Sequence, residues 1–443
     1  MTRHDAVTLD AAQWMEAALH LLALHLRHEV AITRAFRGDE RRDAFLGLLM
    51  SDEEAERVID EMTGRLQLEG GHLDERAIDK AWAELITERH RDPEGIWSRM
   101  ADVFELSAIE LDLLVLAAAP AIDPRFGRVF GYLNDDMARR HLTPALVQRL
   151  LPVRIDALTV RRLLSEKAPL IAYGLIDAEN ARPAIERALR VDEALLDLLL
   201  GAAPEVEGAL VHLGDGVRPE RSVIVSAPTR GDASATVLDL AEAREWPLAI
   251  LPPTSVPQRL RSGVRDAHLA GHIPVVSGAD ELSDEQLRSL QLVFQSGILL
   301  VTIAPAKWIS AGIDAEPITA RPVPDARRRH WLDRLNTGGA LVNARHVDLL
   351  EIARLGSAAT SADTLEQIVS AEAGTGLGSF ARRIETENTL DDLVISPAAH
   401  AGLKRLIRWQ EVGPTVLEDW DMGRVYDRSR GIVALFKGPS GTG

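Results

Sequence analysis

Short apolar segments alternate with polar, helix-like segments from residue 222 onward, and this alternation restricts the fold more than any other feature. Four apolar segments predict strands, and a fifth is a possible strand: residues 222–227, 247–251, 273–277, 298–303 and 318–323. Helical segments are predicted between them, at residues 234–246, 256–270 and 284–295. Strands that alternate with helices form a parallel sheet covered by helices on both faces. The sequence therefore predicts an α/β domain here.

The region before this alternation has a different pattern. Residues 1–150 predict helices throughout, with capping boxes at Ser51–Glu54 and Ser107–Glu110. Between residues 156 and 201 the pattern predicts a helix, an extended stretch, a turn, a returning strand and a second helix: 158–167, 169–176, 177–181, 183–190 and 192–200. This order is typical of a winged-helix unit, and a helical domain with an incidental hairpin is the alternative.

The region after the alternation again predicts helices, at residues 324–335, 347–355, 362–373 and 397–410, and then a strand at 430–437. The first three helices would form a lid, and residues 374–378 a linker. The chain thus predicts a multidomain protein with an all-α start, an α/β domain with a helical lid, and the start of a second such domain. The predicted divisions are 1–92, 93–203, 204–323, 324–378 and 379–443.

The last six residues fit the first part of a phosphate-binding loop. The template is G-x-x-x-x-G-K-[ST], and Gly438 and Gly443 hold its two glycine positions. Glycine allows the backbone amides to turn toward phosphate oxygens. The positions between them are Pro439, Ser440, Gly441 and Thr442. We expect the chain to end inside the loop of a second ATPase module, before its Lys and Ser/Thr; a flexible Gly/Ser terminus is the alternative.

The loop after the first strand of the α/β domain departs from the same template. Ala227, Asp232, Ala233 and Ser234 stand where the template has Gly, Gly, Lys and Ser. The phosphate-binding Lys is absent, and the Asp232 carboxylate would repel a phosphate. The third strand ends in Ser277-Gly278 rather than an acidic pair, and Asp280-Glu281 follow late. Thr302 could be the polar residue at the end of the fourth strand. We expect an ATPase-type fold without nucleotide chemistry; an unusual site that binds nucleotide without Lys is the alternative.

Charge and composition restrict the partners. The formal net charge is −17, from 50 basic and 67 acidic residues, which disfavours nucleic acid as a partner. There is no cysteine, which excludes disulfides and thiolate metal sites. The longest apolar run, residues 113–122, is too short for a bilayer. With no signal-like start, the chain is expected to be cytoplasmic and free of membrane contact.

Two further sets of residues have ordinary explanations. His25 and Glu29 share a helix face at the spacing of metal ligands, but no third ligand is evident, so we expect a solvated face and no metal site. Arg327–Arg329 begin the first lid helix. A run of this kind can face the nucleotide of a neighbouring subunit in ring ATPases, but a solvated charge run is the preferred interpretation. Trp308, Trp331, Trp409 and Trp420 are expected to be core or interface anchors.

Residues 104–127 (FELSAIELDLLVLAAAPAIDPRFG) and 132–136 (YLNDD) resemble the N-terminal region of an AAA+ ATPase family of bacterial phage-tail-like, extracellular contractile injection systems. The resemblance covers most of residues 93–443. It implies a helical and winged-helix N-terminal part, a degenerate AAA-like module, and an active AAA+ module with the loop G-P-x-G-T-G-K-T. By this resemblance, Gly438–Gly443 would hold ATP phosphates, and residues 391–395, including Val394, would border the adenine.

The resemblance also implies the partners. The intact protein would use ATP and Mg²⁺, form a homo-oligomeric ring and act on a protein client during assembly or maturation of an injection system. The present chain would have no catalytic or metal residues and would be inactive. Two alternatives stay open, a non-enzymatic adaptor platform and a winged-helix DNA-binding regulator. For the regulator, the predicted recognition helix offers only Arg161, Arg162 and Lys167 against Glu166.

Overall fold

A computed structural model describes most of the chain between residues 10 and 358, and part of the chain after residue 358. The described ranges are 10–37, 50–63, 75–89, 92–151, 155–179, 184–335, 348–358 and 389–414, with residues 416, 434, 435 and 437; within 184–335, residues 228, 253, 255, 278–281, 296, 303–304 and 322 are excepted.

The described residues of the N-terminal region form helices, as predicted, and seven of them precede residue 151: α1 (Ala11–Arg37), α2 (Asp52–Met62), α3 (Glu75–Arg89), α4 (Ile96–Phe104), α5 (Ala108–Ile122), α6 (Pro124–Leu133) and α7 (Pro144–Leu150). The Ser51 hydroxyl accepts the N–H of Glu54 at 3.1 Å and so caps α2. The Glu110 carboxylate accepts the N–H of Ser107 at 2.8 Å and closes the first turn of α5. The long helix α1 packs against α2, α3, α5, α6 and α7, so its apolar face is the centre of this bundle.

The winged-helix outline is present in a shorter form than the pattern predicts. It contains α8 (Ala157–Leu163), α9 (Pro169–Ala172), β1 (Asp177–Ala178), a 3₁₀ turn (Ala184–Glu186), β2 (Leu189–Arg190) and α10 (Glu193–Leu199). β1 and β2 pair antiparallel, and Leu142 adds a bridge to Leu189 as a minimal third strand. Leu142 is thus an exception to the helices predicted throughout residues 1–150, since it lies between helices and forms a single bridge.

The predicted extended stretch 169–176 is wrong at its start, where one helical turn forms. Pro169 occupies the first helical position, which suits its fixed φ and missing N–H. Leu170 and Ala172 are buried by this turn. Short apolar runs do not distinguish a buried strand from a buried helical turn, because both place every other side chain or more against the core.

The α/β domain contains the predicted sheet. Its elements are β3 (Ala209–Val211), β4 (Ser222–Ser226), α11 (Arg230–Ala243), β5 (Leu248–Ile250), α12 (Pro257–Leu269), β6 (Ile273–Ser277), α13 (Asp284–Ser289), β7 (Leu299–Thr302), α14 (Pro305–Ser310) and β8 (Ala315–Thr319). The strand order is β3-β5-β6-β7-β4-β8, parallel except for β3, which pairs antiparallel with β5. The fifth predicted strand lies three residues earlier than expected, and α13 ends six residues earlier.

The two faces of the sheet bury different neighbours. Ile224 of β4 belongs to a large apolar cluster that continues through α12 into the N-terminal helices as far as α1. Val223 and Val225, whose side chains point to the opposite face, belong to a second cluster with Trp331 and Leu349. Two lid helices supply these last residues, α15 (Asp325–Arg334) and α16 (Leu349–Ala358). The α/β domain therefore lies between the N-terminal region and the lid.

The chain after the lid is described only in part. A 3₁₀ turn (Leu390–Asp392) and helix α17 (Pro397–Pro414) are present, and α17 confirms the helix predicted at 397–410. The predicted helix 362–373 and the linker 374–378 lie outside the described residues. Of the predicted strand 430–437, Ala434, Leu435 and Lys437 are described; none is in a strand, and Leu435 is 92% exposed. No helix among the described residues combines the length and apolarity needed to cross a bilayer.

Candidate functional site

The candidate site lies at the carboxyl end of β4. β4 is flanked by β7 and β8, while the next strand in the chain, β5, lies on the far side of β6 and β7. Such a reversal of strand order is where open α/β sheets leave a crevice for ligands. The N-terminus of α11 opens into this crevice, and a helix N-terminus with free amides favours anions. The topology therefore places a potential anion site at the loop after β4, whose residues depart from the phosphate-binding template.

The N-terminus of α11 is capped by side chains of its own first turn. The Thr229 hydroxyl accepts the N–H of Asp232 at 3.1 Å and donates to Oδ2 of Asp232 at 2.7 Å. The carboxylate therefore lies at the positive end of the helix, where a bound phosphate would place its oxygens. An added anion would meet a helix end that is already capped at Asp232 and that carries a negative charge.

A second chain segment neutralises that carboxylate. Nη2 of Arg328, from α15, donates to Oδ1 of Asp232 at 2.5 Å, and the N–H of Val323 donates to the same oxygen at 3.0 Å. Asp232 is only 5% exposed and Arg328 9% exposed, so the ion pair is buried. Burial raises the pKa of Asp232, but the donors from Thr229, Val323 and Arg328 together outweigh it and hold the pKa below its ordinary value.

A second group of contacts holds α15 along α11. Arg327 donates from Nε to Asp239 and from Nη2 to Glu242, each at 2.6 Å. Nε1 of the fully buried Trp331 also donates to Oδ1 of Asp239, at 2.6 Å. The solvated charge run expected at Arg327 and Arg328 is therefore wrong, because carboxylates of α11 bind both guanidinium groups within the chain.

Ser234, which stands at the Ser position of the template, makes hydrogen bonds within the chain that join α11 to α16. Ser234 is completely buried; its hydroxyl donates to the Gly231 carbonyl at 3.1 Å and accepts the N–H of Leu349 at 3.0 Å. Ala233, at the Lys position, is also completely buried. Thr302 is buried at the end of β7, in register with Ser226 of β4. Asp280 and Glu281 lie outside the described residues.

These residues do not fit a nucleotide. The Asp232 carboxylate lies where the template would place phosphate oxygens. The Lys position is occupied by the buried methyl group of Ala233. The Ser234 hydroxyl, which would bind magnesium, instead accepts a hydrogen bond from the start of α16. Sequence reasoning found the defective template but not Arg328 as the partner of Asp232. The only sequence signal was the run of arginines at the start of the lid, which lies about a hundred residues further along the chain.

The sites predicted near the C-terminus are not brought together in the described residues. Gly438, Pro439, Ser440, Gly441, Thr442 and Gly443 all lie outside them, as does Trp420. Val394, predicted to border the adenine, is fully exposed. Trp409, predicted to be a core or interface anchor, is 47% exposed and is not part of a core in the described residues. The predicted adenine border and the phosphate loop therefore stay predictions.

The predicted solvated face of α1 is wrong at His25 and Glu29, because both side chains are buried. Glu29 accepts from Nε of Arg149 at 3.2 Å, and the same guanidinium donates to the Leu133 carbonyl at 3.1 Å. His25 Nε2 lies 3.5 Å from the Arg149 carbonyl. This pair joins α1 to α7, and within the described part of the chain no group of three or more potential ligands gathers around a metal position.

Comparison with known proteins adds one result. Residues 9–210 match a family model described as "Winged helix domain, variant", so a winged-helix domain is present in the N-terminal part of the chain. The match includes the hairpin β1–β2 and the exposed helix α8. Neither the curated proteins nor the solved structures gave a match.

Proposed function

We propose that the described chain is the non-hydrolysing N-terminal part of an AAA+ ATPase. In this proposal the winged-helix region and the α/β module form a protein-binding platform, and ATP is bound and hydrolysed by a module that begins near residue 379. The resemblance of residues 104–127 and 132–136 supports the family, and the loop motif at 438–443 supports a nucleotide site. The same resemblance supports action on a protein client in the assembly or maturation of a contractile injection system, as a homo-oligomeric ring.

One observation supports the non-hydrolysing role most directly. The Asp232–Arg328 ion pair lies at the helix N-terminus of the topological switch point, which in an open α/β sheet is the expected ligand position. A phosphate entering there would lie against a buried carboxylate that already has three hydrogen-bond donors, or would have to displace it. The first case brings two like charges together and the second removes the partners of the carboxylate and of Arg328, so nucleotide binding at this site is unfavourable.

The test is nucleotide binding and turnover by the purified 443-residue chain with Mg²⁺. We expect no ATP-dependent heat in calorimetry and no phosphate release above that of buffer. The variant Asp232→Asn removes the repelling charge, so it distinguishes binding at the α/β module from binding at the loop 438–443. Clear turnover by the chain, or ATP binding that Asp232→Asn changes, would contradict an inactive α/β module.

A second test concerns the ATPase itself. In a longer form of the protein, the proposal expects Gly443 to be followed by Lys and then Ser or Thr, with an apolar strand that ends in Asp-Glu further along the chain. Those residues supply the phosphate cation, the magnesium hydroxyl and the metal-binding acid of a phosphoryl-transfer site. A continuation without them would leave the adaptor platform as the better proposal, since the adaptor differs from the ATPase in not using ATP.

DNA binding is the second candidate, because the match is to a winged helix and α8 is exposed. Arg161 and Arg162 of α8 face solvent, and Leu158 is 66% exposed. A gel shift with duplex DNA at increasing salt tests it. Binding that falls steeply with salt and is lost in Arg161→Glu/Arg162→Glu would favour this candidate over the platform.

A further inference from the structure

A large cleft separates the winged-helix region from the α/β domain. Its volume is about 1080 Å³, and its walls are the segment from α8 to β2 on one side and α12 and α13 on the other. Helix α12 contributes one face, because Gln258, Arg261, Ser262 and Arg265 follow the helical i, i+3, i+4, i+7 spacing. Clefts between domains are common ligand positions.

Arg265 forms the link at the base of this cleft. Its side chain is 1% exposed, and its Nη1 donates to Oδ2 of Asp192 at 2.9 Å and to the Gly174 carbonyl at 3.1 Å. Nε donates to Asp266 at 2.8 Å. Arg265 therefore joins the two walls of the cleft. The positive charge of Arg265 is compensated by Asp192 and Asp266.

The cleft is basic although the chain is strongly acidic. Among the described lining residues, six side chains are cationic: Lys167, Arg187, Arg190, Arg261, Arg265 and Arg288. Four described side chains are acidic: Glu166, Asp177, Asp192 and Glu285. Arg265 and Asp192 pair with each other, which leaves five cations and three carboxylates in the lining. The local excess of positive charge contrasts with the net charge of −17 for the whole chain. Walls of low dielectric concentrate such a local field.

Two of these cations keep unused hydrogen-bonding capacity. The Nε atoms of Arg187 and Arg261 are shielded from solvent and find no acceptor among the described residues. Burial lowers the pKa of Arg261, since the nearby carboxylates of Glu166 and Asp177 compensate it only in part. A buried N–H without an acceptor is unfavourable, so a shift of either side chain that lets its Nε meet an entering acceptor group would be stabilising.

The uncharged part of the lining is mixed. Leu164, Ile171 and Leu292 contribute aliphatic surface beside glutamine and serine side chains, and no aromatic side chain is among the described lining residues. Bases of nucleotides and nucleic acids are usually held by aromatic stacking, which this cleft does not offer. Aliphatic surface beside cationic groups instead complements a peptide that carries both acidic and aliphatic side chains.

We propose that this cleft binds a peptide segment of a partner protein that contains both acidic residues and leucines. The carboxylates of the segment accept hydrogen bonds from the arginines, and its aliphatic side chains cover the apolar part of the lining. The proposal rests on the cleft alone and does not depend on the ATPase proposal, because ATP plays no part in it.

The test is fluorescence anisotropy of a labelled short peptide of Glu, Leu and Gly, added to the full chain. The binding variant is Arg190→Glu/Arg288→Glu, with one exposed residue from each wall. The matched control is Arg162→Glu/Arg259→Glu, which makes the same charge change at exposed positions of the same two regions outside the cleft lining. We expect the binding variant to weaken peptide affinity about tenfold or more and the control to change it less than about twofold.

Further binding measurements test whether the carboxylates of the peptide are the groups that the cleft recognises. A peptide with Gln in place of Glu is expected to bind at least about tenfold more weakly, and added salt is expected to weaken the Glu peptide. Equal loss in both variants, equal binding of the Gln peptide, or no measurable binding of the Glu peptide would overturn the proposal. A duplex DNA that binds as tightly and competes for the cleft would also overturn it, in favour of nucleic acid. The single variant Lys167→Glu provides a second measurement and is expected to weaken the peptide partially.

Discussion

At the scale of single residues, a buried ion pair of Asp232 and Arg328 occupies the N-terminus of α11 at the switch point. A buried pair is not itself a large source of stability, because the desolvation of both charges offsets much of their attraction. Removing one partner is costly, however, since the other charge stays buried without compensation. The pair therefore fixes one arrangement of α11 and α15 more than it stabilises the chain.

The ion pair can be tested by a double-mutant cycle. Arg328→Met should lower the free energy of unfolding by about 3 kcal/mol, because Asp232 keeps its charge without the guanidinium. Arg334→Met on the same helix removes a half-exposed pair with Glu242 and should cost less than about 1 kcal/mol. Urea unfolding measures both. If the double variant Asp232→Asn/Arg328→Met costs the full sum of its single variants, the two groups are not coupled.

Because the pKa of Asp232 is lowered in the folded chain, its contribution to the free energy of unfolding depends on pH. The folded chain binds a proton on Asp232 less readily than the unfolded chain, so the stability from this group is complete above about pH 4 and is lost as the pH falls through the folded pKa. Asp232→Asn should therefore lose less stability than the unsubstituted chain as the pH falls below about 4. The exposed Asp215→Asn serves as control, and an unchanged acid dependence in Asp232→Asn would refute the assignment.

At the scale of elements, the sheet was predictable and its edge was not. β4, β6 and β7 are buried apolar runs of four or five residues, and such runs between helical segments predict parallel strands from sequence alone. β3 has three residues of mixed burial, too few to show any period. The site was predictable only as a defective template, because a side chain from a distant helix completes it and local patterns carry no information on that contact.

The edge strand β3 depends on one glycine. A Cβ at Gly208 would lie 2.2 Å from the Ile250 carbonyl oxygen of β5, next to the pair Ala209–Ile250. Gly208→Ala should therefore separate β3 from β5 and cost about 2 kcal/mol. Gly271→Ala, at positive φ but with no atom within 4 Å of the new Cβ, isolates backbone strain and should cost about 1 kcal/mol. Hydrogen exchange of the β3 amides checks the mechanism, and unchanged protection in Gly208→Ala would exclude it.

At the scale of the whole molecule, the N-terminal helices and the α/β domain share one apolar cluster, which includes Trp14 of α1 and Trp308 of α14. Polar contacts follow the same boundary. Arg99 of α4 donates to the Leu269 carbonyl at the end of α12 at 2.7 Å, and Arg265 reaches Asp192 and Gly174. Domains joined by a continuous core unfold as one cooperative unit.

Arg265 is expected to control this coupling. Arg265→Met removes the links to Asp192 and Gly174 and leaves the Asp266 carboxylate, whose pKa burial raises, without its guanidinium. We expect a loss of about 3 kcal/mol and the separation of a single calorimetric transition into two. Arg259→Met, on the exposed side of the same helix, is the control. A single transition in Arg265→Met at unchanged temperature would show that the apolar cluster alone joins the domains.

The counter-charge of Arg328 is part of the polypeptide itself. At pH values where both groups are charged, the pairing therefore does not depend on the concentration of nucleotide or phosphate in solution. The angle between α11 and α15 should then be the same with and without such solutes.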